Sequence, residues 1–315
     1  MDSRLLAIRA LALNAVAVTV ITAFEAAGVD YLLLKGPAMA RWLYPDGRLR
    51  PFRDVDLLVA PGQLRLAEDC LVALSCRPSK DPSPHATTWT APPGAAGTVD
   101  LHHSFHYVTV SDQRCWDVLS TSSGSIELGG RSVRVPSPAP LGALLVLQVA
   151  LADASAQCQA DLTWALGHEA DEFWADAAAV AAQLGATEAF AEGLRRASGA
   201  QRLLERLELP PLRSAEIALT LEDQPRTTAG VGRLLGARSP AALFRRLGTE
   251  LLPSPAHMRS CYPRLARWKP GGLFVSYLVR PAFVVVQAPG GLRAWRQIQR
   301  KVRPAAGPKR SQRPD

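Results

Sequence analysis

Residues 29–59 read VDYLLLKGPAMARWLYPDGRLRPFRDVDLLV, and this stretch decides the fold. Val29 to Leu34 is a short apolar run of the kind that forms a buried strand. Lys35-Gly36-Pro37 closes it. Glycine adopts backbone angles closed to other residues and proline suits the first helical turn, so a sharp strand-to-helix corner is expected, with a helix over 38–44. Pro45-Asp46-Gly47 is a turn signal. Asp54-Val55-Asp56-Leu57-Leu58-Val59 is a second strand, ended by Pro61-Gly62. Side chains alternate across a strand, so Asp54 and Asp56 project from one face while Val55 and Leu57 point to the other.

Upstream, an apolar stretch from Leu5 to Ala27 is punctuated by Arg4, Arg9, Asn14 and Glu25. It predicts an amphipathic helix, capped by Asp2 or Ser3 and stopped at Gly28, rather than a signal peptide. Downstream, a helix is expected over 63–75, a loop or ragged hairpin over 78–97, a strand over 98–110, and a hairpin over 125–135 around Gly129-Gly130. After Pro136-Ser137-Pro138, helical spacing runs from Leu141 to Gly248 with breaks at Gly185, Pro210-Pro211 and Pro225. The expected class is α/β (α+β): a core at 1–135 with a small mixed sheet, a helical domain at 136–250, and an extension at 251–315 with a basic tail. The run 141–152 is too short to span a bilayer and 272–287 is interrupted by Arg280 and Pro281, so no transmembrane segment is expected.

The chain has 315 residues, 48% hydrophobic and 20% charged, which is the composition of a globular protein with a real core. A formal charge of +8 favours anionic partners. Part of it sits in the Pro-interrupted tail from Arg293 to Arg313, where a solvated tail is the simpler reading than a nucleic-acid arm. Five cysteines (Cys70, Cys76, Cys115, Cys158, Cys261) have no regular spacing, which argues for reduced thiols in a cytoplasmic protein.

Two carboxylates side by side in an apolar strand repel each other and lose solvation, a costly arrangement unless a cation sits between them. Hard oxygen ligands suit Mg2+ or Mn2+. A pair of such ions about 3.5–4 Å apart can clamp the attacking and leaving oxygens of a phosphoryl displacement. Thr98-Val99-Asp100-Leu101-His102 supplies a third acid, with His102 on its face. If that strand lies beside the first, Asp54, Asp56 and Asp100 converge. The Lys35-Gly36 corner would face the anion, since free N–H groups at a helix start attract negative charge, and Lys35, Arg50 and Arg53 add positive charge for a triphosphate.

With these residues in hand, the run at 31–59 followed by Thr98-Val99-Asp100-Leu101-His102-His103 resembles the uncharacterised branch of the DNA polymerase β-type nucleotidyltransferase superfamily. Gly36 matches the glycine corner, Asp54 and Asp56 the paired metal ligands, and Asp100 the third acid. Lys35, Tyr44, Arg50 and Asp100-Leu101-His102 fit the branch. Pro37 departs from the wider pattern, which has a second small residue there; Lys35 or Arg50 would take over that contact to the triphosphate. The resemblance covers 1–135 closely and extends weakly to Asp161-Leu162, Phe173-Trp174 and 252–255. It implies transfer of a nucleoside monophosphate from an NTP to an acceptor hydroxyl of a small molecule, peptide, protein or RNA. Members of the branch accompany natural-product clusters, including those of lasso peptides, which implies a tailoring role.

Simpler roles stand beside these. Lys35 can cover apolar surface with its stem, and Arg53 can be a surface ion-pair partner. His102 is better read as a hydrogen-bonding support of the metal site than as an acid–base group, and Tyr44 and Asp161 as positions behind the ligands; Asp161 on its apolar helix can cap or pair. A zinc site at His102, His103 and His106 lacks a cysteine at ligand spacing. Trp164 and Trp174 read as core. Gly230, Gly232 and Gly236 lack the strand a dinucleotide site requires. The competing functions are a non-catalytic nucleotide- or peptide-binding protein on this scaffold and a tRNA-modifying toxin–antitoxin nucleotidyltransferase.

Overall fold

The computed structural model describes residues 3–79, 85–151, 154–211 and part of 217–296. The chain divides into two compact units, Met1–Ala150 with Ala154–Pro210, and Leu151–Asp153 with Pro211–Asp315. In the second, residues 274–280 are helical and the Ser276 hydroxyl donates to the Gly272 carbonyl at 2.8 Å. The basic tail beyond 296 and the segment 252–255 lie outside the described residues.

The first unit opens with α1 (Ser3–Ala27). Leu13, Val16, Ala17, Val20, Ile21 and Phe24 recur at helical spacing and are buried, while Leu5, Ile8 and Leu11 on its first turns are exposed. By length and composition α1 is long and apolar enough to cross a membrane. Gly28, at φ 74°, ends it as expected: the Val29 amide reaches back to the Phe24 carbonyl at 2.9 Å, the closure in which a glycine satisfies the last helical carbonyls. β1 (Tyr31–Leu33), α2 (Pro37–Leu43), β2 (Asp54–Val59) and α3 (Leu64–Ala73) follow in the expected order.

β3 (Arg77–Pro78), β4 (Ala86–Thr90) and β5 (Thr98–His102) complete a five-stranded sheet of order β1-β2-β5-β4-β3. It is mixed: β2 and β5 are parallel, the other neighbours antiparallel. The strand expected over 98–110 stops at His102. The amides of His103 and Ser104 both turn onto the His85 carbonyl (3.1 and 3.4 Å) and Tyr107 takes a positive φ of 69°, so the ladder cannot continue. A helix absent from the sequence reading follows, α4 (Asp112–Ser120), capped by the Ser111 hydroxyl accepting from the Arg114 amide. β6 (Ser123–Leu128) and β7 (Arg131–Pro136) form the expected hairpin, with Gly129 and Gly130 both at positive φ.

α5 (Pro138–Val149) is buried from Pro140 to Leu147, an apolar rod that must be covered on every side. α6 (Ala156–His168), α7 (Asp171–Gln183) and α8 (Thr187–Arg196) pack around it, and α9 (Gln201–Arg206) follows α8. The change of composition near 136 thus marks the passage from β7 to α5 within one compact unit.

Candidate active site

The corner after β1 is built around Gly36. Its φ of 56° and ψ of −111° favour glycine, and a Cβ there would meet the Phe52 ring at 3.1 Å. Pro37 occupies the first helical turn of α2. The Leu34 amide donates to the Asp56 carbonyl at 3.0 Å, so the end of β1 is held directly beside Asp56. Gly97 does the same for β5: at φ 91°, it leaves no room for a side chain against Leu13 and the Arg53 carbonyl.

The parallel register sets Asp56 opposite Asp100, Asp54 opposite Thr98 and Leu58 opposite His102. Val55, Leu57, Val99 and Leu101 fill the core on the other face. Asp56 is 2% exposed, and its Oδ1 accepts from Lys35 Nζ at 2.9 Å and meets His102 Nε2 at 3.0 Å. Its Oδ2, together with Asp100 Oδ1 and His102 Nδ1, is buried without a hydrogen bond. Among the described residues, the group with ligand spacing for a metal ion is Asp56, Asp100 and His102, whose donor atoms lie within 4.8 Å of one another. Asp54 shares their face but stands at the open end of β2, outside this group. The sequence placed Asp54 among the ligands and gave His102 the supporting hydrogen bond, which His102 does make to Asp56.

These positions have electrostatic consequences. Burial, with the adjacent Asp56 charge, pushes the Asp54 carboxyl up. Burial also raises Asp100, tempered by the Thr88 hydroxyl that bonds to it. Burial alone would raise Asp56 too, but the Lys35 ammonium and the His102 bond hold it well below the usual carboxylate range. For Lys35, burial favours the neutral amine and is outweighed by the Asp56 carboxylate, so the ammonium persists. The face thus holds one carboxylate stabilised by Lys35 and His102 beside two that burial pushes up.

Residues 2–199 match the family described as an uncharacterised nucleotidyltransferase. The chain belongs to that family. It is therefore a transferase, of the class that moves nucleoside monophosphates. No curated protein matches it in sequence. Among solved structures it is similar to the antibiotic-resistance factor ANT(2'')-Ia, with TM-score 0.40 and 14% identity over 54% of this chain and 91% of that one. It is also similar to an antigenic nucleotidyltransferase-like protein from Paracoccidioides brasiliensis, with TM-score 0.36 and 16% identity over 54% and 92%.

The remaining expected residues of this nucleotidyltransferase fall into two places. Arg50, Tyr44 and Asp161 meet in one buried network. Asp161, fully buried on α6, accepts from Arg50 Nε at 2.8 Å, from the Tyr44 hydroxyl at 2.9 Å and from Gln157 Nε2 at 2.7 Å. Burial and the bond to Asp161 raise the Tyr44 phenol to about 12. The terminal nitrogens of Arg50 make no hydrogen bond among the described residues. Gln157 is the member the sequence reading missed; its only signal is a place four residues before Asp161, one helical turn away. Arg53, by contrast, is exposed just ahead of Asp54.

The histidines beyond His102 do not join it. His103 Nδ1 meets Asp112 at 3.1 Å, and His106 packs on His85 with ring centroids 4.3 Å apart. Trp174 is core, 1% exposed. Trp164 is half-buried, donates to the Leu43 carbonyl at 2.9 Å, and lies between His168 and the Arg48 guanidinium.

Proposed function

We propose that this enzyme transfers a nucleoside monophosphate from an NTP to an acceptor hydroxyl, releasing pyrophosphate, with a divalent cation bound at its acidic face. The observation that carries the reading is the direct pairing of Asp56 with Asp100 on adjacent parallel strands, each with a buried oxygen that has no partner. Buried polar atoms are ordinarily satisfied, and two unpartnered carboxylate oxygens on one face fit a hard cation. Asp56 and Asp100 would hold Mg2+ or Mn2+, with Asp54 beside them and His102 fixing Asp56. Such an ion supplies charge stabilisation for the phosphoryl group in flight.

The chain's own groups supply the rest. The Gly36 corner, with the Phe52 ring packed against the glycine, would turn its backbone toward the triphosphate. Among the described residues, Lys35 keeps two N–H bonds beyond the one it makes to Asp56 and Arg50 keeps its terminal nitrogens, while Arg53 stands exposed nearby. The acceptor oxygen forms a bond to the α-phosphorus, the bond to the bridging oxygen breaks, and the acceptor proton passes to a carboxylate. Asp54 and Asp100, both pushed up by burial, are the carboxylates of this face that would take it. Acceptors in this reading are hydroxyls of a small molecule, a peptide, a protein side chain or an RNA end, in the cytoplasm, where the four free thiols described stay reduced.

The test is label transfer from α-32P NTPs in Mg2+ or Mn2+ to each acceptor class. Transfer should fall by about 100-fold or more in Asp56→Asn and in Asp100→Asn, the scale expected for loss of a group acting on the transition state. Nucleotide binding without transfer to any acceptor would replace this reading with a binding protein.

A further inference from the structure

We propose that the Lys35 ammonium occupies the second cation position of the acid cluster, so that the enzyme works with one divalent ion per chain instead of a pair. This rests on the metal-bearing site argued above and specifies how many ions it takes.

An ion pair clamped by carboxylates needs an acid shared between the ions, each oxygen turned toward one of them. Here Asp56 is the shared acid, but its Oδ1 already receives Lys35 Nζ at 2.9 Å and His102 Nε2 at 3.0 Å. Two donors at hydrogen-bond distance fill that oxygen. Oδ2 is the one without a partner, and the other buried carboxylate oxygen without one is Asp100 Oδ1, on the directly opposed residue. The buried free oxygens therefore describe a single position for a divalent ion, and an ion held by Asp54 would have to share Asp56 through the oxygen that Lys35 and His102 already fill.

Lys35 is also poorly placed to leave. It sits at the end of β1, whose Leu34 amide is bonded to the Asp56 carbonyl at 3.0 Å, so the lysine backbone is fastened to the strand that carries its partner. Its side chain is only 23% exposed. An ion arriving on Oδ1 would have to expel a buried ammonium or stand against it.

Charge points the same way. Asp54, Asp56 and Asp100 bring three negative charges to one face, and one lysine with one divalent ion brings three positive. Before nucleotide arrives, a second divalent ion beside Lys35 would leave an excess in a half-buried site, where uncompensated charge is costly. An ammonium has three donors and Lys35 uses one on Asp56, so it can bridge carboxylate and phosphate as an ion would.

The experiment counts Mn2+. Titration calorimetry and electron paramagnetic resonance would be run on the full chain, alone and with a non-hydrolysable ATP analogue. Wild type should bind one Mn2+ at the acids and show no exchange-coupled Mn2+ pair in either condition. Lys35→Met should bind two and show the coupled pair; Lys35→Arg should keep one. A coupled pair in wild type overturns the inference and leaves the metal-dependent transfer intact. So does a Lys35→Met protein that still takes one uncoupled ion. Mn2+ uptake in wild type no greater than in Asp56→Asn removes both. Circular dichroism checks that each variant folds, and if Lys35→Met does not, the wild-type spectrum decides alone.

Discussion

Asp161 is the side chain whose loss the first unit can least absorb. It is wholly buried, charged, and the acceptor for three donors that arrive from α6 itself, from the end of α2 and from the loop before β2. Removing one member of a buried ion pair costs about 3–5 kcal/mol because the other charge is left without compensation. Asp161→Ala should therefore lower the melting temperature by roughly 6–20 °C for a unit of this size. Arg50→Met combined with Asp161→Leu should recover much of that loss, since well-packed apolar replacements of a buried pair are often neutral. Differential scanning calorimetry of Arg50→Met, of Asp161→Leu and of the double closes the cycle, and additive losses would show that the pair carries no coupling. At this scale the sequence was informative where chemistry is local. Asp54 and Asp56 declare themselves by lying one residue apart in a strand. The Arg50–Asp161 bond spans 111 residues and Lys35–Asp56 spans 21, and no spacing rule reaches across either.

Elements were legible wherever a backbone signal coincided with a hydrophobic one. β2 began and ended where apolar alternation and Pro61 placed it, and the Gly129-Gly130 hairpin followed from turn chemistry. α4 was missed because it is short and polar, with its start marked by Ser111 alone. The strand at 98–102 was overextended because alternation continues on paper beyond His102, while the backbone there turns to the His85 carbonyl. Packing between elements leaves its own mark in the small residues of α8. A Cβ on Gly193 would press on the Val146 carbonyl of α5 and lie 2.8 Å from the Val146 side chain, so the two helices meet backbone to backbone. Glycine to alanine inside a helix ordinarily stabilises by up to about 1 kcal/mol. Gly193→Ala should instead destabilise by about 1–3 kcal/mol, because a carbonyl cannot swing aside as a side chain can. Gly167→Ala on α6, where an added Cβ meets nothing within 4 Å, is the control and should show the ordinary sign. Urea midpoints for the two variants on opposite sides of wild type confirm the close approach; a shared sign refutes it.

Over the whole molecule, composition changes near 136 from strand-forming to helical sequence, yet cohesion does not change there. α5 is apolar all round and takes cover from α6, α7 and α8, while Tyr44 and Arg50 reach from the front half to Asp161, and Trp42 packs at a tilt on Phe173 with ring centroids 5.4 Å apart. A boundary drawn on composition sees the change of element type and misses these ties, since each is a pair of residues more than 100 positions apart. The first compact unit accordingly runs to Pro210, and the family match runs to residue 199 within it. A chain of about 200 residues buries roughly 70% of the surface its unfolded form exposes, enough to fold without help. A protein ending at Pro210 should therefore be soluble, unfold in a single cooperative transition, and bind Mn2+ as tightly as the full chain, because Asp54, Asp56, Asp100 and His102 lie on the sheet of this unit and Lys35 in the corner after β1. Coincident near- and far-ultraviolet circular dichroism melts, with Mn2+ titration on both lengths, make the measurement. A shortened chain that keeps its helical signal but loses near-ultraviolet structure and Mn2+ binding would mean that the second unit completes the fold.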